Sequence, residues 1–322
     1  MEYRALGRTG LEVSEIGFGA WGIGGSQWGG AEDAESVQAL ERAIDLGLNF
    51  IDTALAYGSG RSERLVGQVV RRRPETVYVA TKVPPKNGIW PAAAGVPVEE
   101  VFPAAHVRHC AERSLSNLGL ETIDLLQLHV WQDEWVRTGD LLAAVDELRT
   151  AGKIRFFGIS INDHQPANAL RLIETDAVDT VQVIYNVFDQ SPEDELFPAC
   201  RERGVGVVAR VPLDEGGLTG RIGPDTEFGD DDFRAYYFRG ERRREVHERA
   251  VAIASDLDIA IEQLAETALR FVLSEPTVST VIPGMRSIRN VERNVAVSDG
   301  RGLPDAKREA LHAHRWVRNF YR

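Results

Sequence analysis

Two cysteines in 322 residues, Cys110 and Cys200, are too few for a disulfide framework and do not have the spacing of a zinc site. Both fall in helix-like stretches, where reduced core thiols are expected. Basic residues are also in short supply, with 37 lysines and arginines against 49 aspartates and glutamates and a net charge of −12. The basic face needed for nonspecific binding to nucleic acid or to an anionic membrane is therefore missing, and an anionic ligand would need a local basic cluster. No apolar run approaches the roughly 20 residues of a membrane span. Near Met1 there is no charged stretch followed by an apolar run and a cleavage site. No Pro, Gly or Ser-rich linker divides the chain. These absences lead us to expect a soluble, cytoplasmic protein made of one domain over residues 1–322, with a small-molecule partner and no metal.

Apolar residues make up 43% of the chain and charged residues 27%, enough to bury a large core. Short β-branched apolar runs alternate with amphipathic helical stretches, the pattern of a parallel sheet wrapped by helices. The candidate strands are Ile16 to Gly19, Asn49 to Thr53, Val77 to Thr81, Asp124 to Leu128, Phe156 to Ile159, Thr180 to Val183, Gly206 to Ala209 and Thr280 to Ile282. Eight such units specify an α/β fold of the (β/α)₈ barrel (TIM barrel) type. Helices are expected over Ala34 to Leu46, closed by Gly47, and Ser62 to Arg72, closed by Pro74. Tyr3 to Val13 reads as a β-hairpin around Gly10 that plugs one end of the barrel. Pro84 to Ala105 and Gly220 to Arg244 break the βα rhythm. They fall after strands, so they are expected as long loops on the C-terminal face of the barrel, where lids and specificity elements are found.

Four chemically distinct side chains stand at or just beyond strand ends: Asp52 and Tyr57 in N-F-I-D-T-A-L-A-Y-G, Lys82 in V-Y-V-A-T-K, and His129 in I-D-L-L-Q-L-H. Each alone has an ordinary reading, respectively a helix cap, a loop aromatic, a solvated charge and a hydrogen-bonded core residue. Their recurrence at successive strand ends, where barrel active sites are built, favours chemistry. An ammonium beside a phenol favours the ionised form and is expected to lower its pKa from about 10. Tyr57 beside Lys82 would then be a usable acid, with Asp52 holding Lys82 and His129 orienting a substrate oxygen.

The stretches D-T-A-L-A-Y-G-S-G-R-S-E-R-L-V-G (52–67), S-L-S-N-L-G-L-E-T-I-D-L-L-Q-L-H (114–129) and V-I-P-G-M-R-S (281–287) resemble the signatures of the aldo-keto reductase superfamily, including the branch with potassium-channel β-subunits. The resemblance covers nearly the whole chain. It implies a barrel that binds NADP(H) in extended form without a Rossmann domain and reduces an aldehyde or ketone to an alcohol. Tyr57 becomes the general acid, with Asp52, Lys82 and His129 in support. In agreement, G-F-G-A-W-G at 17–22 has only part of the G-x-G-x-x-G pattern and no helix directly after it. Gly19 there is read as letting backbone approach a ligand, with Trp21 facing the pocket.

By the same resemblance Asp52, Ser160, Gln182 and Arg210 belong to the cofactor site, although Ile161 replaces the usual asparagine after the serine and Asn162 follows one place later. Arg210 stands where relatives have a stacking aromatic. It is expected to stack by its planar face and to favour substrates carrying hydroxyl or carboxylate groups. Leu213 and Gly217 are assigned to a pyrophosphate loop in which Asp214 and Glu215 are unfavourable neighbours for a phosphate, and the sequence leaves open whether they point outward. Gly284, Arg286, Asn290 and Asn294 are assigned to the adenosine end. Arg286, Arg289 and Arg293 recur at helical spacing near a helix N-terminus and supply the basic cluster.

Substrate is assigned to Trp21, Tyr57, His129 and Trp131, with Trp90 also at the mouth. A regulatory NADP(H)-binding module acting through a partner, and a sugar epimerase or isomerase with retained cofactor, are the alternatives. A monomer is expected.

Overall fold

The computed structural model describes residues 1–25, 27–30, 32–137 and 139–322. A short antiparallel hairpin, β1 (Tyr3–Ala5) with β2 (Glu12–Ser14), precedes eight parallel strands. These are β3 (Phe18–Gly19), β4 (Phe50–Asp52), β5 (Tyr78–Val83), β6 (Ile123–Leu128), β7 (Ile154–Ser160), β8 (Thr180–Ile184), β9 (Gly206–Arg210) and β10 (Val278–Val281), paired in chain order. Bridges from Ile16 to Val281 and from Gly19 to Gly284 bring the two edges together, so the sheet curls into the expected barrel. Each expected strand overlaps an observed one, with ends displaced by one or two residues. The two helices appear as Asp33–Asp45 and Arg61–Val70.

Two-residue periodicity positions the site. Phe50, Ala80, Leu125 and Val208 point into the barrel and form an apolar layer with Leu6, Leu11 and Val13 of the hairpin segment. Burying each of these larger side chains contributes on the order of 1.5–3 kcal/mol, and the hairpin thereby plugs the N-terminal end. Two residues further along the same strands come Asp52, Lys82, Gln127 and Arg210. Side chains two apart share a face of a strand, so a polar layer lies directly above the apolar one, toward the C-terminal end.

The long connections are anchored rather than loose. Asn162 exchanges hydrogen bonds with the backbone of Ala92, and Trp135 donates to the Val96 carbonyl at 2.8 Å, fixing the 84–105 segment. The 220–244 segment contains a short helix, Phe233–Tyr237, whose Tyr237 is fully buried. Cys110 and Cys200 are buried free thiols whose pKa burial raises to about 11 and about 12. Among the described residues no helix is long and apolar enough to cross a membrane.

Candidate active site

At the centre of the polar layer lies an ion pair sealed from solvent. The Lys82 ammonium donates to Asp52 Oδ2 at 2.5 Å, to the Thr53 carbonyl at 2.8 Å and to the Tyr57 hydroxyl at 3.3 Å. Its side chain is 0% exposed and that of Asp52 3%. Burying two charges is costly unless their remaining hydrogen-bonding capacity is met. Here it is met, because Asp52 Oδ1 accepts from Gln182 at 2.7 Å and from Gln127 at 3.1 Å. Burial pulls the lysine pKa down, but Asp52 and Tyr57 outweigh it and the ammonium is held charged.

Tyr57 lies on the turn between β4 and the helix Arg61–Val70. Gly58, at φ +60°, lets this turn pass against Gly24, where a Cβ would come within 2.1 Å of the Gly24 carbonyl oxygen. The phenol departs from expectation. Its pKa is raised, because loss of water outweighs the lowering by Lys82, and the charge of Asp52 adds to the rise. Tyr57 is accordingly held in its protonated form. His129 follows β6 with its ring 5.6 Å from that of Tyr57. Burial first, then Lys82 and Arg210, push its pKa well below the ordinary value, so the imidazole is neutral. Its Nδ1 is buried without a partner among the described residues.

These groups open onto a cavity of about 1550 Å³ that runs from Tyr57 and His129, past Ser160, Gln182 and Arg210, to Arg286 and Asn294. Aromatic rings wall the end at Tyr57 and His129. Trp21 stacks on Tyr57 at 6.2 Å, Trp90 meets His129 edge-on at 4.4 Å, and Trp28 and Phe233 each lie 5.3 Å from Trp21. Trp131, expected at the mouth, is instead 0% exposed. It packs 5.7 Å from Trp135 and donates its indole N–H to Asp133, so its ring is spent in the core. Trp90, 46% exposed, takes the position at the mouth.

Along the middle of the cavity, Ser160 and Asn162 border the space, as does Ile161. The Arg210 guanidinium is tied down by Asp163 at 2.7 Å and the Ile161 carbonyl at 3.0 Å, leaving its Nε buried without a partner among the described residues. Leu213, Glu215 and Gly216 border the cavity, whereas Gly217 does not. Gly217 faces Val246 and the Asp214 carboxylate, where a Cβ would collide. Asp214 and Glu215, whose direction the sequence leaves open, turn inward. Arg318 and Tyr237 engage Asp214, and Tyr321 donates to Glu215 at 2.6 Å. Burial raises the Glu215 pKa to about 7, against the opposing hydrogen bond from Tyr321.

At the far end, Gly284 has open space around its Cα, and Ser287 caps the helix Ile288–Val295 through the Asn290 N–H. Arg286 donates to the Gly29 carbonyl at 2.9 Å and lies over the Trp28 ring. Arg289 and Arg293 are exposed and border the cavity, and neither has an ion pair among the described residues. Asn290 and Asn294 complete this wall. Gln127, Trp28, Phe233 and Tyr321 were not singled out from sequence. Of these only Gln127 carried a signal, two residues before His129 on the same strand face.

The Aldo/keto reductase family profile matches residues 15–315. The chain is 31% identical to Aldo-keto reductase YhdN of Bacillus subtilis (strain 168), over 91% of this chain and 87% of that protein. It is 30% identical to the NADH-specific methylglyoxal reductase of Escherichia coli (strain K12), over 90% and 91%. The structure of aldo-keto reductase AKR11C1 from Bacillus halodurans (holo form) superposes with a TM-score of 0.77 at 27% identity, covering 98% of this chain and 96% of that one. With the match running from Glu15, just past the hairpin, to Arg315, this chain belongs to the aldo/keto reductase family of nicotinamide-dependent oxidoreductases that act on carbonyl compounds.

Proposed function

We propose that this chain is an NADP(H)-dependent carbonyl reductase that turns an aldehyde or ketone into an alcohol, with Tyr57 as the proton donor. The observation that carries the reading is the Lys82 ammonium 3.3 Å from the Tyr57 hydroxyl, backed by a buried carboxylate. A protonated phenol is the form needed to donate to a forming alkoxide. Once the proton has left, the fixed ammonium stabilises the phenolate without reorganisation. Neutral His129, beside Tyr57, is suited to hydrogen-bond the carbonyl oxygen and set its direction. Trp21, Trp90 and Phe233 exclude water from the reacting end.

The residues along the cavity fit a dinucleotide. The Ser160 hydroxyl borders the space with no hydrogen bond to another described residue, the Gln182 side-chain oxygen has no partner among the described residues while its amide N–H donates to Asp52, and Gly284 leaves room for close approach. Ser160 and Gln182 would hold the carboxamide. Arg289 and Arg293, with Asn290, would hold the adenosine end, and their two unpaired charges in an acidic chain favour the phosphorylated cofactor. When bound, the nicotinamide supplies the hydride. Relatives differ in the form they bind, one being named as NADH-specific and another being solved in complex with NADP, so preference is a property of these side chains.

Following the absorbance of NADPH or NADH with a panel of aldehydes and ketones tests the reading. NADPH should be consumed in step with the carbonyl, with kcat/KM about tenfold or more above that for NADH. Absence of turnover with either cofactor would remove the reductase assignment, and equal or better use of NADH would remove the cofactor preference.

A further inference from the structure

Between β9 and the helix Arg242–Asp256 the backbone is held in a shape its sequence does not favour. Val211, Asp214 and Glu215 have φ of +55°, +52° and +53°, followed by Gly216 at +109°. Left-handed φ is disfavoured for residues with a Cβ, most of all for a β-branched one such as valine, so a loop with three of them persists only under outside restraint. The restraint on Val211 is local, a hydrogen bond from Asn186 to its carbonyl at 2.9 Å. Asp214 and Glu215 are held from about a hundred residues away.

Arg318 makes an ion pair with Asp214 in which both side chains are nearly sealed, 7% and 2% exposed, and also donates to the Tyr237 hydroxyl at 3.0 Å. Its guanidinium is fixed between the rings of Trp316 and Phe320, at 4.4 and 4.2 Å from their centroids. Trp316 is itself tied by its N–H to the Phe188 carbonyl. The Tyr321 hydroxyl donates to Glu215, and its ring packs against Phe233 of the long loop and Tyr237. The strained loop and Tyr321 both border the cavity that is also lined by Tyr57 and by the arginines of the helix Ile288–Val295.

We infer that the segment 316–321 is a latch, in which Arg318 and Tyr321 are positioning residues that hold the strained 211–216 loop in the shape that grips the middle of the cofactor. The inference rests on the cofactor reading of the cavity. Neither residue need touch the reacting atoms. Their effect falls on how tightly and how long the dinucleotide is held, because a released loop relaxes toward ordinary backbone angles and withdraws one wall of the cavity.

Tyr321→Phe keeps the ring contacts and deletes one hydrogen bond, and Arg318→Lys keeps the charge while losing the planar stack and fork. NADPH affinity and dissociation rate, read by its fluorescence in equilibrium titration and stopped flow, should worsen about tenfold in each. The KM for NADPH should follow, while kcat at saturation moves much less and thermal midpoints shift by only a few degrees. Affinity and dissociation within twofold of wild type in folded Tyr321→Phe would overturn the latch. So would a fall in kcat with NADPH binding intact, which would put Tyr321 at the reacting end. If Arg318→Lys does not fold, Tyr321→Phe alone decides. A wild-type chain that binds neither NADPH nor NADH removes the cofactor reading, and the latch with it, a failure distinct from intact binding insensitive to the two substitutions.

Discussion

The two ends of the cavity are built by different means. At the end beside Tyr57, Asp52, Lys82, Gln127 and Gln182 come from four strands of the barrel, are buried, and satisfy one another across distances of 2.5–3.1 Å. Strand register and the two-residue alternation fix their relative positions, so the chemistry inherits the rigidity of the barrel. At the other end the walls are loops and one helix N-terminus. They carry left-handed backbone and exposed arginines without an ion pair among the described residues, and they depend on side chains distant in sequence. Where the chemistry must be the same in every turnover, the chain uses strands. Where a ligand must enter and leave, it uses segments whose conformation is set by contacts that can be altered singly.

That contrast can be broken first at its rigid end. Lys82→Met should strand the Asp52 carboxylate in the core, costing about 3–5 kcal/mol of stability and lowering kcat by about 10²–10⁴-fold. Urea unfolding and steady-state kinetics read both, and a stable, active variant would show that the ion pair is not the keystone of that end. Gln127→Leu removes one of the two amide donors to Asp52. The expected loss is about 1–3 kcal/mol, with kcat falling and affinity for NADPH retained.

At the loop end the sign of the pattern reverses. Arg289→Ala and Arg293→Ala should each weaken NADPH binding about tenfold while leaving NADH binding and the thermal midpoint nearly unchanged, as surface changes usually do. A matched loss for both cofactors would show that these arginines do not read the extra phosphate. The smallest effect is expected from Glu215→Gln. The Glu215 pKa lies at about 7, above the ordinary 4.5. The folded state therefore binds the extra proton across that window, and the stability it contributes is complete below the lower value and lost as pH rises through about 7. Glutamine cannot lose that proton. Glu215→Gln should raise the thermal midpoint by a few degrees near pH 8 and change it little near pH 4, as scanning calorimetry at the two values can establish.

How much was legible follows the same division. The eight strands could be read because buried parallel strands are continuous β-branched runs, and Asp52, Lys82 and His129 could be placed because they end or follow such runs. Trp131 misled because it shares parity with His129, yet the strand has ended at Leu128 and alternation no longer predicts direction; the Asp133 and Trp135 contacts turn the ring inward. The proton affinity of Tyr57 was misjudged in sign because the sequence shows the neighbouring ammonium but not the loss of water, which is the larger influence. The direction of Asp214 and Glu215 could not be read because nothing near them in sequence offers a partner. Their partners are Arg318 and Tyr321, and pairing across a hundred residues leaves no local trace.

The most direct test of the central claim is hydride transfer in a single turnover of Tyr57→Phe, with NADPH prebound and a carbonyl substrate mixed in. The rate should fall by about 10²–10⁴-fold with NADPH affinity retained. A rate within a few-fold of wild type would show that Tyr57 does not deliver the proton and that the Asp52, Lys82 and Tyr57 array serves the fold rather than the reaction.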